Sequence, residues 1–169
     1  MSNGKTTSSI VKTLIMKRTL GIIAIIGSVA YLGNIINIGL TYAIAWQRMD
    51  PIEFMQGFET TFLLLLPTVV VTLLPGLIGI IASLYLNKEN EAAKKSWRLA
   101  LYATLISIII TSVYHLPTNL AFIDQSYSST EAASKLNLWV LLHWVRIALA
   151  IAASVFVIQG FQKSLANNR

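Results

Sequence analysis

Four long apolar runs, separated by short polar stretches, dominate the chain: Leu20–Trp46, Thr60–Leu86, Trp97–Leu116 and Leu136–Ile158. A helix crossing the ~30 Å hydrocarbon core of a bilayer needs roughly 20 residues, and each run supplies them. The connections Gln47–Glu59, Asn87–Ser96 and Pro117–Lys135 are too short to hold a second domain. The pattern predicts one domain over residues 1–169, an all-α, integral membrane four-helix bundle in up-down order, because short links force consecutive helices antiparallel. Gly27, Gly33 and Gly39 in the first run suit close helix contact. Pro67, Pro75, Gly76 and Gly79 in the second are tolerated where neighbouring helices re-satisfy the backbone. Pro67 and Pro75 are expected to kink that helix, since each removes a backbone donor. Asp50-Pro51 reads as a turn or a helix start.

Charge adds orientation. Only 12% of residues are charged and 55% are hydrophobic, which agrees with an integral membrane protein. The net charge of +6 would suggest nucleic acid in a soluble chain. Here the basic residues sit just outside the apolar runs, so no nucleic-acid partner is expected and the bilayer is the partner instead. Lys5, Lys12, Lys17, Arg18, Lys88, Lys94, Lys95, Arg98, Lys163 and Arg169 fall on one side, against Arg48 and Lys135 on the other. By the positive-inside rule both termini and the second loop are cytoplasmic, and the first and third loops face outward. Trp46, Tyr114 and Trp139 then fall near the outer interface, Tyr85 and Trp97 near the inner one. Lys12, Lys17 and Arg18 ahead of an apolar stretch, with Ser28-Val29-Ala30 as a weak cleavage-like site, imitate a signal peptide. Apolar sequence continues to Trp46, so an uncleaved anchor is expected. These features predict a multi-pass protein of a plasma membrane, the inner membrane in a bacterium.

Polar residues inside the runs mark candidate chemistry. Arg146 lies near the middle of the fourth run, with His143 and Trp139 three and seven residues earlier on the same helical face. A guanidinium at that depth costs from about +2.5 to +17 kcal/mol depending on the reference state, so a polar pocket around it is expected. At 1.5 Å per residue, His143 and Arg146 lie about 10 and 15 Å below the start of that helix. Under the up-down topology, the polar ends of all four helices meet at one level. The first brings Asn34, Asn37 and Thr41, the second Glu59, Thr60 and Thr61, the third Thr111, Tyr114, His115 and Asn119, and the fourth Asn137. The other halves of the helices read as almost wholly aliphatic. The asparagines also have a plainer reading as interhelical hydrogen-bonding groups. Arg146 also has one, as a charge that pairs with Glu59 to hold the bundle.

Arginine stays protonated and offers a planar fork of donors suited to a carboxylate, phenolate or enolate. Histidine exchanges protons near neutral pH. His143 as base and Arg146 as anion holder could deprotonate an acidic C–H or phenol in a low-dielectric site. Asn34, Asn37, Tyr114, His115, Asn119 and Trp139 are candidate substrate contacts. Trp144 could add an apolar wall, although it turns about 100° away from His143. The absence of cysteine excludes disulfides, thiolate metal sites and cysteine nucleophiles. No G-x-S-x-G elbow is present. With two histidines and no carboxylate at helical spacing from either, no metal site is expected. A bis-histidine haem between His115 and His143 is disfavoured by their difference in depth.

Pro117-Thr118-Asn119 after the third run, followed by Trp139-Val-Leu-Leu-His143-Trp-Val-Arg146, forms a P-x-N plus W-x3-H-x2-R arrangement. This resembles the anthrone oxygenase-like family of small four-helix membrane proteins, which includes many bacterial members. The resemblance covers essentially the whole chain in topology and length. It implies oxidation of anthrones to anthraquinones by molecular oxygen, with no cofactor (neither metal nor flavin), and carries that role onto Asn119, Trp139, His143 and Arg146. The expectation is a cofactor-independent oxygenase or oxidoreductase acting on a small aromatic or quinone-like lipophile. The alternative is a non-enzymatic module that binds a lipophile or packs as a subunit of a larger membrane complex. The glycines of the first run would suit such a partner helix, or a homo-oligomer.

Overall fold

The computed structural model describes residues 3–166. Arg169 and the side chain of Lys5, both part of the charge asymmetry, lie outside the described residues. The elements are α1 (Asn3–Asn37), a π-helical segment (Ile38–Ala43), α2 (Ile44–Trp46), α3 (Pro51–Leu86), α4 (Glu91–Ile110), a second π-helical segment (Thr111–His115), α5 (Leu116–Ile123) and α6 (Ser129–Ala166). The π segments join their neighbours without a break. Four rods result, Val11–Trp46, Pro51–Leu86, Glu91–Ile123 and Ser129–Ala166, each long and apolar enough to cross a membrane. α1 packs along α3 and α6, and α4 along α6 and α3, so the rods close a ring in chain order.

The turns carry their own stop and start signals. Asp50 caps α3, its Oδ1 accepting from the Ile52 and Glu53 amides at 2.9 and 3.3 Å, with Pro51 at the first helical position. Asn90 caps α4 by accepting from the Ala93 amide at 3.1 Å. Ser128 and Glu131 form a reciprocal capping box ahead of α6: Ser128 N–H donates to Glu131 Oε2 at 2.9 Å, and Glu131 N–H to Ser128 Oγ at 3.4 Å. The Asp50-Pro51 pair is thus a helix start. α3 runs as one helix through Pro67 and Pro75.

The third rod is longer than its apolar run. Pro117 does not end it, and α5 continues to Ile123 with Pro117 in its first turn. Proline inside a helix clashes with the carbonyl four residues back and removes a donor. The π segment relieves this by widening the turn just ahead, where the Leu116 N–H donates to the Thr111 carbonyl five residues back.

Below the site the rods are pinned by small residues. A Cβ built on Gly27 would fall on the Gly76 backbone, and one on Gly79 would lie 2.6 Å from the Ala24 nitrogen. α1 and α3 therefore touch backbone to backbone, as small residues permit in lipid. The reading of that half as almost wholly aliphatic is corrected. Ser28, Ser83, Asn87, Ser96, Thr104, Ser107, Ser154 and Ser164 are all buried there. Serine and threonine are small and can bond their own helix, as Thr104 Oγ1 does to the Ala100 carbonyl at 2.9 Å, so they leave little trace in a hydropathy pattern. Trp97, expected at the interface, is fully buried and donates to Ser164 Oγ at 3.0 Å. Asn90 Nδ2 donates to the Lys163 carbonyl at 3.1 Å, which places the α3–α4 turn and the end of α6 at the same end of the bundle.

Candidate functional site

At the opposite end, α3 presents Phe54, Phe58 and Phe62 at a spacing of four, one face of a helix. They meet Trp46 from α2, Phe122 from α5 and Trp139 from α6 in a cluster of mostly tilted and edge-to-face rings, with Phe58 and Phe62 stacked, and centroids 4.9–5.9 Å apart. Such pairs contribute roughly 0.5–1.5 kcal/mol each beyond their burial. Trp46 and Trp139 are accordingly core residues, with only 7% and 5% of their surfaces exposed.

Beneath this cluster lies a cavity of about 90 Å³, whose lining includes His115, Asn119, Trp139, His143 and Arg146. Apart from Thr111 its other walls are apolar, among them Ile38, Phe58, Phe62 and Leu65. Leu66 and Leu116 line it too, and 42% and 43% of their surfaces are exposed, so that edge of the cavity, between α3 and α5, lies near the outside of the bundle. Leu66 sits about 22 Å along α3 from Pro51, deep within the rod.

Trp139 organises the polar wall. Its Nε1 donates to Asn119 Oδ1 at 2.8 Å, and its ring stacks on His143 at 4.9 Å with 6° between the planes. The His115 ring lies 4.8 Å from it on another side. The His143 tautomer follows from its partners. Nε2 lies 2.8 Å from the Ile35 carbonyl, which can only accept, so Nε2 carries the hydrogen. Nδ1 is then the lone pair, and Arg146 Nη1 donates to it at 3.4 Å. His115 is mirrored: Nδ1 faces the Ile110 carbonyl at 3.4 Å and carries the hydrogen, leaving Nε2 buried with no hydrogen-bond partner. The histidine rings lie 6.2 Å apart, nearer than their expected difference in depth. Both nitrogens of His143 are nonetheless engaged.

Arg146 is 5% exposed. Nη2 donates to the Tyr31 hydroxyl at 3.3 Å, Tyr31 shares a hydrogen bond with Ser107 at 3.1 Å, and Arg146 Nε is buried without a partner. Among the described residues no carboxylate pairs with Arg146, and Glu59 is exposed. No group of three or more histidine, aspartate or glutamate residues placed to hold a metal occurs among the described residues.

Three expected contacts lie elsewhere. Asn34 belongs to the seam between α1 and α3, where its Nδ2 donates to Thr68 Oγ1 at 3.2 Å, the interhelical role. Asn37 is exposed and accepts from Thr41, because the inward face of α1 is Ala24, Ser28, Tyr31 and Ile35. Tyr114 is half-buried and turns outward, its hydroxyl donating to the Lys135 carbonyl at 3.1 Å. Trp144 is 42% exposed on the far side of α6. Sequence reasoning missed Tyr31, a lone phenol in the middle of an apolar run, and the phenylalanine face of α3, which its spacing of four could have revealed.

A bundle of four helices, each long and apolar enough to cross a membrane, with a buried arginine and two buried imidazoles on one cavity wall, defines a class of small integral membrane proteins. The family model described as anthrone oxygenase matches residues 54–156, and the chain belongs to that family. No curated protein and no solved structure matches.

Proposed function

We propose that the chain is a membrane-embedded, cofactor-independent oxygenase acting on a small aromatic or quinone-like lipophile that reaches the cavity from the bilayer. The observation that carries this reading is the guanidinium of Arg146, buried on an aromatic cavity wall with no acidic partner among the described residues. A buried cation without a counter-ion favours an anionic guest. A phenolate or enolate formed from an apolar precursor supplies that charge only after the ligand has left the lipid. Arg146 holds the anion's oxygen, a neutral imidazole of the site takes the proton, and Trp139 with Asn119 keeps both groups in register.

For an anthrone-like substrate the steps balance. The acidic C–H gives its proton to the imidazole and its electron pair to the conjugated oxygen. Molecular oxygen then accepts those electrons and bonds to the carbon, giving a peroxide that takes up a proton. Loss of water leaves a new carbonyl, so one oxygen atom stays in the product and the other leaves as water. The charge asymmetry orients the site toward the non-cytoplasmic half of a plasma membrane.

Purified protein in detergent should consume oxygen with anthrone, and Arg146→Ala and His143→Ala should lose that uptake while remaining folded. Wild-type turnover by both variants would defeat the proposal. Stoichiometric ligand binding without oxygen uptake would favour a lipophile-binding module.

A further inference from the structure

We propose that His115 is the proton acceptor of this site and that His143 is a positioning residue. The inference rests on the enzymatic reading above and names the base within it. Two imidazoles reach the cavity, and their nitrogens differ in what occupies them. His143 spends Nε2–H on the Ile35 carbonyl at 2.8 Å and its Nδ1 lone pair on Arg146 at 3.4 Å. A proton could enter that lone pair only by displacing the guanidinium. His115 spends only its Nδ1–H, on the Ile110 carbonyl. Its Nε2 completes no hydrogen bond, although the Trp139 backbone lies near the ring, in a side chain that is 1% exposed and lines the cavity. A buried acceptor without a donor is rare in folded proteins and calls for an explanation. A ligand's acidic hydrogen supplies one.

The local winding supports the assignment. On a regular α-helix, the eight residues from Ser107 to His115 overshoot two full turns by about 80°. The π segment Thr111–His115 turns less per residue and takes up that excess. Both Ser107 and His115 are therefore buried on one side of the rod, each 1% exposed. A rare local winding, frequent at functional sites, aims this ring inward.

In the step itself, the ligand's C–H or O–H proton passes to His115 Nε2. The bonding pair moves onto the ligand's oxygen opposite Arg146, and His115 becomes an imidazolium. No oxidant enters this half-reaction, so it can be observed without oxygen.

The test is anaerobic deuterium uptake by anthrone in D₂O, read by mass spectrometry, with the full-length protein in lipid nanodiscs. Wild type should accelerate exchange at the acidic carbon. His115→Gln should slow it by roughly 10²- to 10⁴-fold, the usual worth of a positioned base. Quenching of tryptophan fluorescence should show that anthrone still binds. His143→Gln should weaken binding and retain more exchange at saturation than His115→Gln. Exchange at the wild-type rate in His115→Gln overturns the proposal. If that variant does not fold, His115→Gly with free imidazole replaces it: restored exchange upholds the assignment, and none in folded protein refutes it. Wild type that promotes neither exchange nor oxygen uptake defeats the enzymatic reading itself. Oxygen uptake by wild type with full exchange in His115→Gln removes only the role of His115.

Discussion

Replacing Arg146 by methionine separates a functional arginine from a structural one. The guanidinium makes two long hydrogen bonds, 3.3 Å to Tyr31 and 3.4 Å to His143. After Arg146→Met, Tyr31 keeps Ser107 as a partner, whereas His143 Nδ1 is left unpaired and buried, at a cost of about 1–3 kcal/mol. Against that, a charge within a membrane span is relieved, worth about 2.5–3.5 kcal/mol on the insertion scale. Methionine fills most of the same volume, so little cavity term is added. The two effects largely offset, leaving at most about 2.5 kcal/mol, and the thermal midpoint in detergent should move by no more than about 10 °C at ~2–4 °C per kcal/mol. Affinity for an anionic guest should fall far more. A charged hydrogen bond of about 1.5–3 kcal/mol corresponds to a loss of roughly 10- to 150-fold. The assays are unfolding followed by intrinsic fluorescence and equilibrium binding of a phenolate such as deprotonated emodin. A folded variant that binds as tightly as wild type, or one that collapses by more than about 10 °C, would refute this account of Arg146.

Three further outcomes follow from the packing. Gly27→Leu should prevent assembly, seen as loss of the monodisperse peak in size-exclusion chromatography, whereas Gly33→Leu, with open space at its Cβ, should elute as wild type. Asn119→Ala should strand the buried Trp139 N–H and destabilise by about 1–3 kcal/mol, with Asn119→Asp, which keeps the acceptor, recovering most of it in the same thermal scan. Leu116→Trp should narrow the cavity at its edge between α3 and α5, slowing ligand association in stopped-flow fluorescence without changing the thermal midpoint.

The architecture was largely legible because hydropathy and loop length directly constrain membrane helices: the four rods follow the four apolar runs. The meeting of Trp139, His143 and Arg146 on one cavity wall was legible too, since residues three and four apart on a helix share a face. The failures are local and have physical causes. Asn34 and Asn37 read as an inward stripe, but their side of α1 meets the seam with α3 and the lipid, and hydropathy alone cannot tell one polar face from another. Pro117 read as the end of a helix because the widened turn that accommodates it has no simple sequence signature. The same winding put His115 in the core when its position at the end of an apolar run suggested an interface. Glu59 stayed outside because α3 turns its phenylalanine face, and not its acidic residue, toward the cavity.

The backbone-to-backbone contact of Gly27 with Gly76 lies in the half of the bundle away from the cavity, so the tightest helix contact and the cavity occupy different stretches of the same rods. The α3 wall at Phe62, Leu65 and Leu66 is half-buried or exposed and carries little of the glycine-pinned stem. Substitutions at those three positions should therefore reshape the cavity while leaving the glycine contacts intact.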